Sequence, residues 1–281
     1  LSMIRGEHQS KGGSSPIIRF ILGFFVMIGA LMFLGCPIRM ILRLGGGDLN
    51  ALFGIAGFAG GIGFGTIFLK KGYSLQRTYA LSKLESAMMP AIQVGLLVLV
   101  VTAPAFIFFS QKGPGAMHAP WLISLAAGLV VGGLSQVSRL CTVGGFRDLF
   151  LFKKSILIFG YLAVLIGVFV VNISFGNFHL GFENQPIAHT DGLWNFLGMA
   201  LAGFCSVLLG GCPLRQLIMT GEGNSDSAVT VLGLAAGAAF AHNFGLAATG
   251  AGPTLNGEIA VGVGFVVALI IAILNTKRAN A

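Results

Sequence analysis

Hydrophobic residues run through this chain in long blocks, separated by short clusters of glycine and charge. Eight blocks reach or approach the ~20 apolar residues that a membrane-spanning helix needs. They are Ile17–Leu34, Leu49–Leu69, Ser86–Phe109, Trp121–Ser138, Ser155–Phe175, Leu193–Leu209, Ala228–Thr249 and Pro253–Leu274. The pattern predicts an all-α integral membrane protein of about eight transmembrane helices, folded as a single transmembrane domain over residues 1–281. Leu1–Ser15 is a polar leader rather than a signal peptide. Three blocks stop abruptly. The first ends at Gly35-Cys36-Pro37 and the sixth at Gly211-Cys212-Pro213, while the fourth runs into Ser138-Arg139-Leu140-Cys141-Thr142-Val143-Gly144-Gly145-Phe146-Arg147-Asp148. Proline lacks a backbone N–H and disfavours helix in the residue before it, so the first helix is expected to break at Cys36. Ile38–Leu44 is too short to cross and predicts a short re-entrant helix, followed by a turn at Gly45-Gly46-Gly47-Asp48. Glycines at 54, 57, 60, 61, 63 and 65 give the second block a face for close helix packing.

The motif Gly35-Cys36-Pro37-Ile38-Arg39 returns 176 residues later as Gly211-Cys212-Pro213-Leu214-Arg215. The register persists without a gap: Gly45 maps to Gly221, Gly47 to Gly223, Gly57 to Gly233, Gly61 to Gly237 and Phe64 to Phe240. A register held over about thirty residues predicts an internal duplication, with one copy in residues 17–70 and the other in 193–249. By the same offset, a partner for Ser135–Asp148 would precede residue 1. Together with the opening Leu, this leads us to expect a longer natural N-terminus.

Composition and charge narrow the class. Charged residues make up only 9% and hydrophobic ones 55%, whereas soluble domains carry roughly 25% charged residues. The net charge of +8 carries no basic patch with interleaved aromatics, so nucleic acid is not an expected partner. In a membrane protein such an excess marks cytoplasmic loops. With the N-terminus inside and eight crossings, all but three of the 17 Lys and Arg fall on the inner side; Arg39, Arg43 and Lys112 are the exceptions. The first and sixth spans are an odd number of crossings apart, so the two Gly-Cys-Pro breaks approach from opposite faces. Inverted repeats with broken helices in matching positions point to a transporter's substrate site, because irregular backbone at membrane depth survives only in protein or along a cavity.

The chemistry of the breaks fits a soft anion. Each supplies a thiol, a turn with free N–H groups and an arginine. A helix beginning at Pro37 or Pro213 would aim its positive end at the break, and Arg39, Arg139, Arg147 and Arg215 would raise the local anion concentration. Thiols are weak donors and polarizable, suited to sulfur or selenium. Weak successive contacts let a substrate leave. The expected pathway residues are Gly35, Cys36, Pro37, Arg39, Arg139, Cys141, Arg147, Gly211, Cys212, Pro213 and Arg215. Two further candidates are secondary: Cys205, seven residues before Cys212 but ordinarily a packing residue, and His242, an ionisable group in an apolar block. The repeat equivalent of His242 is Thr66, which argues against a symmetric role. Arg147-Asp148 also reads as a structural ion pair, and Glu85 as interfacial. Four scattered cysteines with no CxxC predict no disulfide scaffold, no metal site and no cofactor.

At these motifs the chain resembles the YeeE/YedE family of membrane proteins, which includes bacterial thiosulfate transporters, and within it the branch described as putative selenium transporters. The likeness runs through all three cysteine motifs and through Gly221-Glu222-Gly223-Asn224. It implies an hourglass-shaped permease of the bacterial inner membrane whose cysteines relay thiosulfate by S–H contacts, a role carried over to Cys36, Cys141 and Cys212. The sequence therefore leads us to expect a non-enzymatic transporter of a small sulfur- or selenium-containing anion, embedded in the lipid bilayer, with a small cytoplasmic thiol-carrier protein as a candidate partner. The alternative is an intramembrane thiol–disulfide redox protein, which needs paired thiols within bonding distance. A third reading is a membrane subunit that only scaffolds a partner.

Overall fold

The computed structural model describes residues 11–13, 15–75, 78–102, 119–154 and 156–276. Arg5, Arg77, Lys112, His118, Lys277, Arg278 and the end of the third block from residue 103 lie outside these, as do the side chains of Lys83 and Glu85. In chain order the helices are α1 (Pro16–Phe33), α2 (Pro37–Gly45), α3 (Asn50–Lys70), α4 (Lys83–Thr102), α5 (Trp121–Ser138), α6 (Thr142–Phe152), α7 (Ile156–Ser174), α8 (Gly192–Leu209), α9 (Pro213–Gly221), α10 (Ser225–Asn243) and α11 (Leu255–Leu274). Every apolar block is thus a helix, and a short helix follows each cysteine break. The chain is an all-α membrane protein. Among the described residues six stretches are long and apolar enough to cross a bilayer, in three of which a short helix continues the long one. Among the described residues the blocks at α4 and α10 fall short, the third block continuing beyond them from residue 103. Polar Ser225, Asp226, Ser227, Thr230, His242 and Asn243 dilute α10, and the apolar part of α4 begins only at Pro90.

The centre of the bundle consists of α1, α3, α8 and α10, and glycine sets its spacing. A Cβ on Gly57 or Gly61 of α3 would strike the carbonyl oxygens of Phe196 and Ala200 in α8. The equivalents 176 residues away do the same: Gly233 and Gly237 of α10 lie on the carbonyls of Phe20 and Phe24 in α1. In both pairs the partners advance together along the two chains, so the helices run parallel. Between the pairs, Gly29 of α1 lies against Gly198 of α8. Without side chains at the crossings the backbones approach closely, and packing replaces the hydrophobic drive that lipid cannot supply. The bounds of α8 and α9 are those of α1 and α2 displaced by the sequence offset. The outer helices α4, α5 and α7 turn large apolar side chains outward, among them Leu97, Leu129, Val130, Ile166 and Val170, a surface made for lipid.

One face is organised around the end of α1. There the loop after α7 pairs with the turn after α2, through Asp48 and Gly181, and Ala248 donates its N–H to the Leu31 carbonyl. His189 is buried and its Nε2–H donates to the Met32 carbonyl at 2.8 Å. On the opposite face Lys11–Gly13 of the polar leader forms strand β1, antiparallel to β2 (Thr78–Ala80). Asp226 fastens it, accepting the Gly13 N–H at 2.6 Å and pairing with Arg19 at 3.1 Å.

Gly57→Val should cost at least about 1–3 kcal/mol, since a core already in backbone contact cannot take added volume. Gly167→Ala, with open space at its Cβ, should be neutral; thermal unfolding in detergent compares them. A second test concerns pH. Burial lowers the proton affinity of His189 from the ordinary 6.5, and its Nδ1 is buried without a partner. The unfolded chain then binds more protons as pH falls through that range, so stability should decline on acidification. The unfolding temperature should drop between about pH 7 and 5, with a smaller drop in His189→Gln.

Candidate functional site

Each of the three cysteines expected to matter caps a short helix. Cys36, Cys141 and Cys212 are the N-cap residues of α2, α6 and α9, all with extended backbone. Proline at the first turn of α2 and α9 removes an N–H that would have had no helical partner. The remaining free N–H groups of each first turn, and the positive end of the helix dipole, gather beside a thiol. Cys141 Sγ accepts one of them, from Gly144, at 3.3 Å.

The chain enters the two Gly-Cys-Pro breaks through a left-handed residue. Gly210 takes this conformation at the end of α8 with φ +84. Its equivalent at the end of α1 is Leu34, with φ 62, where a side chain makes the same turn costly by about 1–2 kcal/mol. Such strain persists where surrounding structure over-determines it, and Leu34 lines a cavity of about 970 Å³.

The thiols are grouped, though unequally. Cys141 and Cys212 are buried in one cluster with Phe58, Val143 and Tyr161, and their thiols meet side chain to side chain. Cys36 is half-buried. Tyr161 of α7 lies within electrostatic reach of both Cys36 and Cys212, with its hydroxyl 3.5 Å from the Pro37 carbonyl. Thr142 lies beside the Cys212 thiol. Cys205, by contrast, is fully buried in the other hydrophobic cluster, between α1, α8 and α11.

Cavities open on both faces. On the face of the α1 C-terminus, one of about 970 Å³ is lined by Leu34, Gly35, Arg39, His242, Thr249 and Thr254. Beside it, one of about 470 Å³ shares Arg39 and adds Arg43, Asn172, Asn177 and His179. On the opposite face a cavity of about 250 Å³ is lined by Arg19, Tyr73, Arg147 and Gly210. Leu34 and Arg19 are fifteen residues apart on or just past one helix, about 22 Å by helix rise.

The arginines divide by partner. Arg39 makes no ion pair among the described residues and its Nε is buried without a hydrogen bond. The aliphatic stem of Arg39 folds over Gly35, and that of Arg215 over Gly211. Arg215 faces Glu222 at a loose 3.8 Å and keeps a buried Nη1 without a partner. Arg147 pairs with Asp148 at 2.8 Å, and Arg139 is exposed at the end of α5. Arg43, an exception to the charge bias, is structural: it donates to Asp48 and to the Phe33 carbonyl, both at 2.6 Å, and lies 4.0 Å over the Phe33 ring.

With this geometry in view, residues 137–277 match the family model described as sulphur transport, the YeeE/YedE family. The chain belongs to that family. The match covers Cys141, Cys212 and the helices α6 to α11. Comparison with curated proteins gives no match. The protein is accordingly a multi-pass membrane protein of a sulphur-transport family, which is a family of transporters rather than of enzymes.

Sequence reasoning missed Tyr161 and Thr142. Thr142 stood inside a quoted motif but was overshadowed by its neighbouring cysteine. Tyr161 had one usable signal, being one of only three tyrosines and set in an otherwise apolar block.

The Arg43–Asp48 pair is buried, with Asp48 2% exposed, and Asp48 also accepts from the Asn50 N–H and side chain at 2.9 Å. Asp48→Ala should therefore cost about 3–5 kcal/mol by stranding a buried guanidinium. Glu222→Gln, at the looser pair, should cost under about 1 kcal/mol; denaturant unfolding in detergent measures both.

Proposed function

We propose that this protein is a permease for a small sulfur- or selenium-containing anion, thiosulfate being the leading case, with a path passing Cys36, Cys141 and Cys212. The observation that carries the reading is the capping of three short helices by those three cysteines, two of them in thiol contact. Soft S–H groups backed by helix N-termini favour a polarizable anion without binding it so tightly that it cannot leave. Arg39 and His242 line the cavity on the α1 C-terminal face, and Arg19 and Arg147 line the opposite one. On this reading the first cavity is the mouth on the outer side of a bacterial inner membrane, following the Lys/Arg bias, and the second opens to the cytoplasm. Gly35, Pro37, Gly211 and Pro213 shape the breaks, and Arg215 lies near the exit, where a small thiol-carrier protein could receive the product. The displaced register of α1 and α2 in α8 and α9, with the matching glycine contacts, supports an inverted duplication as the scaffold.

The contact between Cys141 and Cys212 also favours a second reading, an intramembrane thiol–disulfide redox protein. The two readings separate in purified protein reconstituted into vesicles. The permease should take up labelled thiosulfate or a labelled selenium anion, and Cys36→Ala, Cys141→Ala and Cys212→Ala should each lower uptake at least tenfold. Cysteine variants with unchanged uptake would sink the relay. Obligatory cycling of the pair between thiol and disulfide during turnover, followed by alkylation, would favour the redox reading.

A further inference from the structure

Two hydroxyl groups stand among the thiols, and each has only a weak partner in the protein. Thr142 opens α6 directly after Cys141; it is 2% exposed, its Oγ1 has no nitrogen or oxygen partner, and the soft Cys212 thiol is the group within its reach. Tyr161 is 7% exposed. Its ring is held edge-on by Phe146 at 5.8 Å, and Phe146 in turn by Phe58 at 6.1 Å. Its hydroxyl donates to the Pro37 carbonyl at 3.5 Å, long beside the ~2.7–2.8 Å usual for O–H···O. A rigidly mounted buried phenol and a buried threonine hydroxyl without a full partner are costly to keep, and each would gain most from an acceptor that arrives from outside.

The thiols and hydroxyls differ as donors. An S–H is weak and its sulfur soft. An O–H donated to an anionic oxygen makes a short, charge-assisted bond. A passage lined by both distinguishes the two ends of an anion that has both kinds of atom. Resting on the permease reading, we propose that Tyr161 and Thr142 are specificity-determining residues. Their hydroxyls donate to the oxygen atoms of the passing anion while the thiols of Cys36, Cys141 and Cys212 take its sulfur or selenium end. The preferred substrate class is then an oxyanion with a terminal sulfur or selenium. Sulfate lacks the soft end and hydrosulfide lacks the oxygens.

The test is initial-rate uptake of labelled thiosulfate by vesicles containing wild type, Tyr161→Phe, Thr142→Val or Thr142→Ser, with unlabelled hydrosulfide as competitor. Loss of either hydroxyl should raise KM for thiosulfate about tenfold, equivalent to about 1.4 kcal/mol, with maximal rate within about twofold of wild type. Thr142→Ser keeps its hydroxyl and should keep the wild-type KM. Hydrosulfide should inhibit all four with the same potency, since it has no oxygen to lose contact. Unchanged KM in both hydroxyl-less variants would overturn the proposal, as would equal weakening of hydrosulfide. Should one variant fail to fold, the other decides alone. Wild-type vesicles that take up no thiosulfate would instead overturn the permease reading on which the proposal rests.

Discussion

The structure depends on backbone-to-backbone contact between helices that carry glycine where they cross. Gly57 and Gly61 let α3 lie on the carbonyls of α8, and Gly233 and Gly237 let α10 lie on those of α1. Lipid offers no penalty for separating apolar helices, so close packing must hold them. Once the four central helices are fixed, the ends of α1 and α8 are fixed too. The short helices α2 and α9 then begin where the long ones stop, and the cysteines that cap them are held at defined places. The outer helices α4, α5 and α7 add surface for lipid, but α7 also supplies a tyrosine to the interior.

Helix placement was largely legible in the sequence. Apolar blocks of spanning length became helices because no other local structure satisfies backbone groups in lipid. The breaks at Cys36 and Cys212 were legible because proline forbids a continuing helix. The length of the short helices followed from the glycine turn after Leu44. What sequence could not supply was non-local. That Cys141 meets Cys212, and Cys205 does not, depends on where α6 lands against α9. Seven residues separate Cys205 from Cys212, yet the helix ends at Leu209, so helical spacing no longer relates the two. The strand at Lys11–Gly13 was also hidden, because three residues without apolar alternation signal nothing until a partner strand and Asp226 are present.

The scaffold is repeated, but the chemistry set in it is not. Leu34 and Gly210 make the same turn with different side chains. Arg43, locked to Asp48, has Met219 at the equivalent position, and Asp48 has Asn224. Cys212 meets a cysteine from α6, and the phenol from α7 lies near both Cys212 and Cys36. The common frame sets distances and helix directions, while residues from α6 and α7 set the surroundings of the two breaks.

The unequal pairing of the arginines has a consequence for how an anion would experience the two mouths. Among the described residues Arg39 has no carboxylate partner beside its cavities, whereas Arg147 and Arg215 across the protein each face one. A passive conduit cannot choose the direction of net flow, which its gradients decide. It can, however, fill at different concentrations from its two ends. On the permease reading, the bare guanidinium would make one mouth a collector that loads from dilute solution, and the neutralised opposite mouth a shallow shelf from which the anion escapes readily.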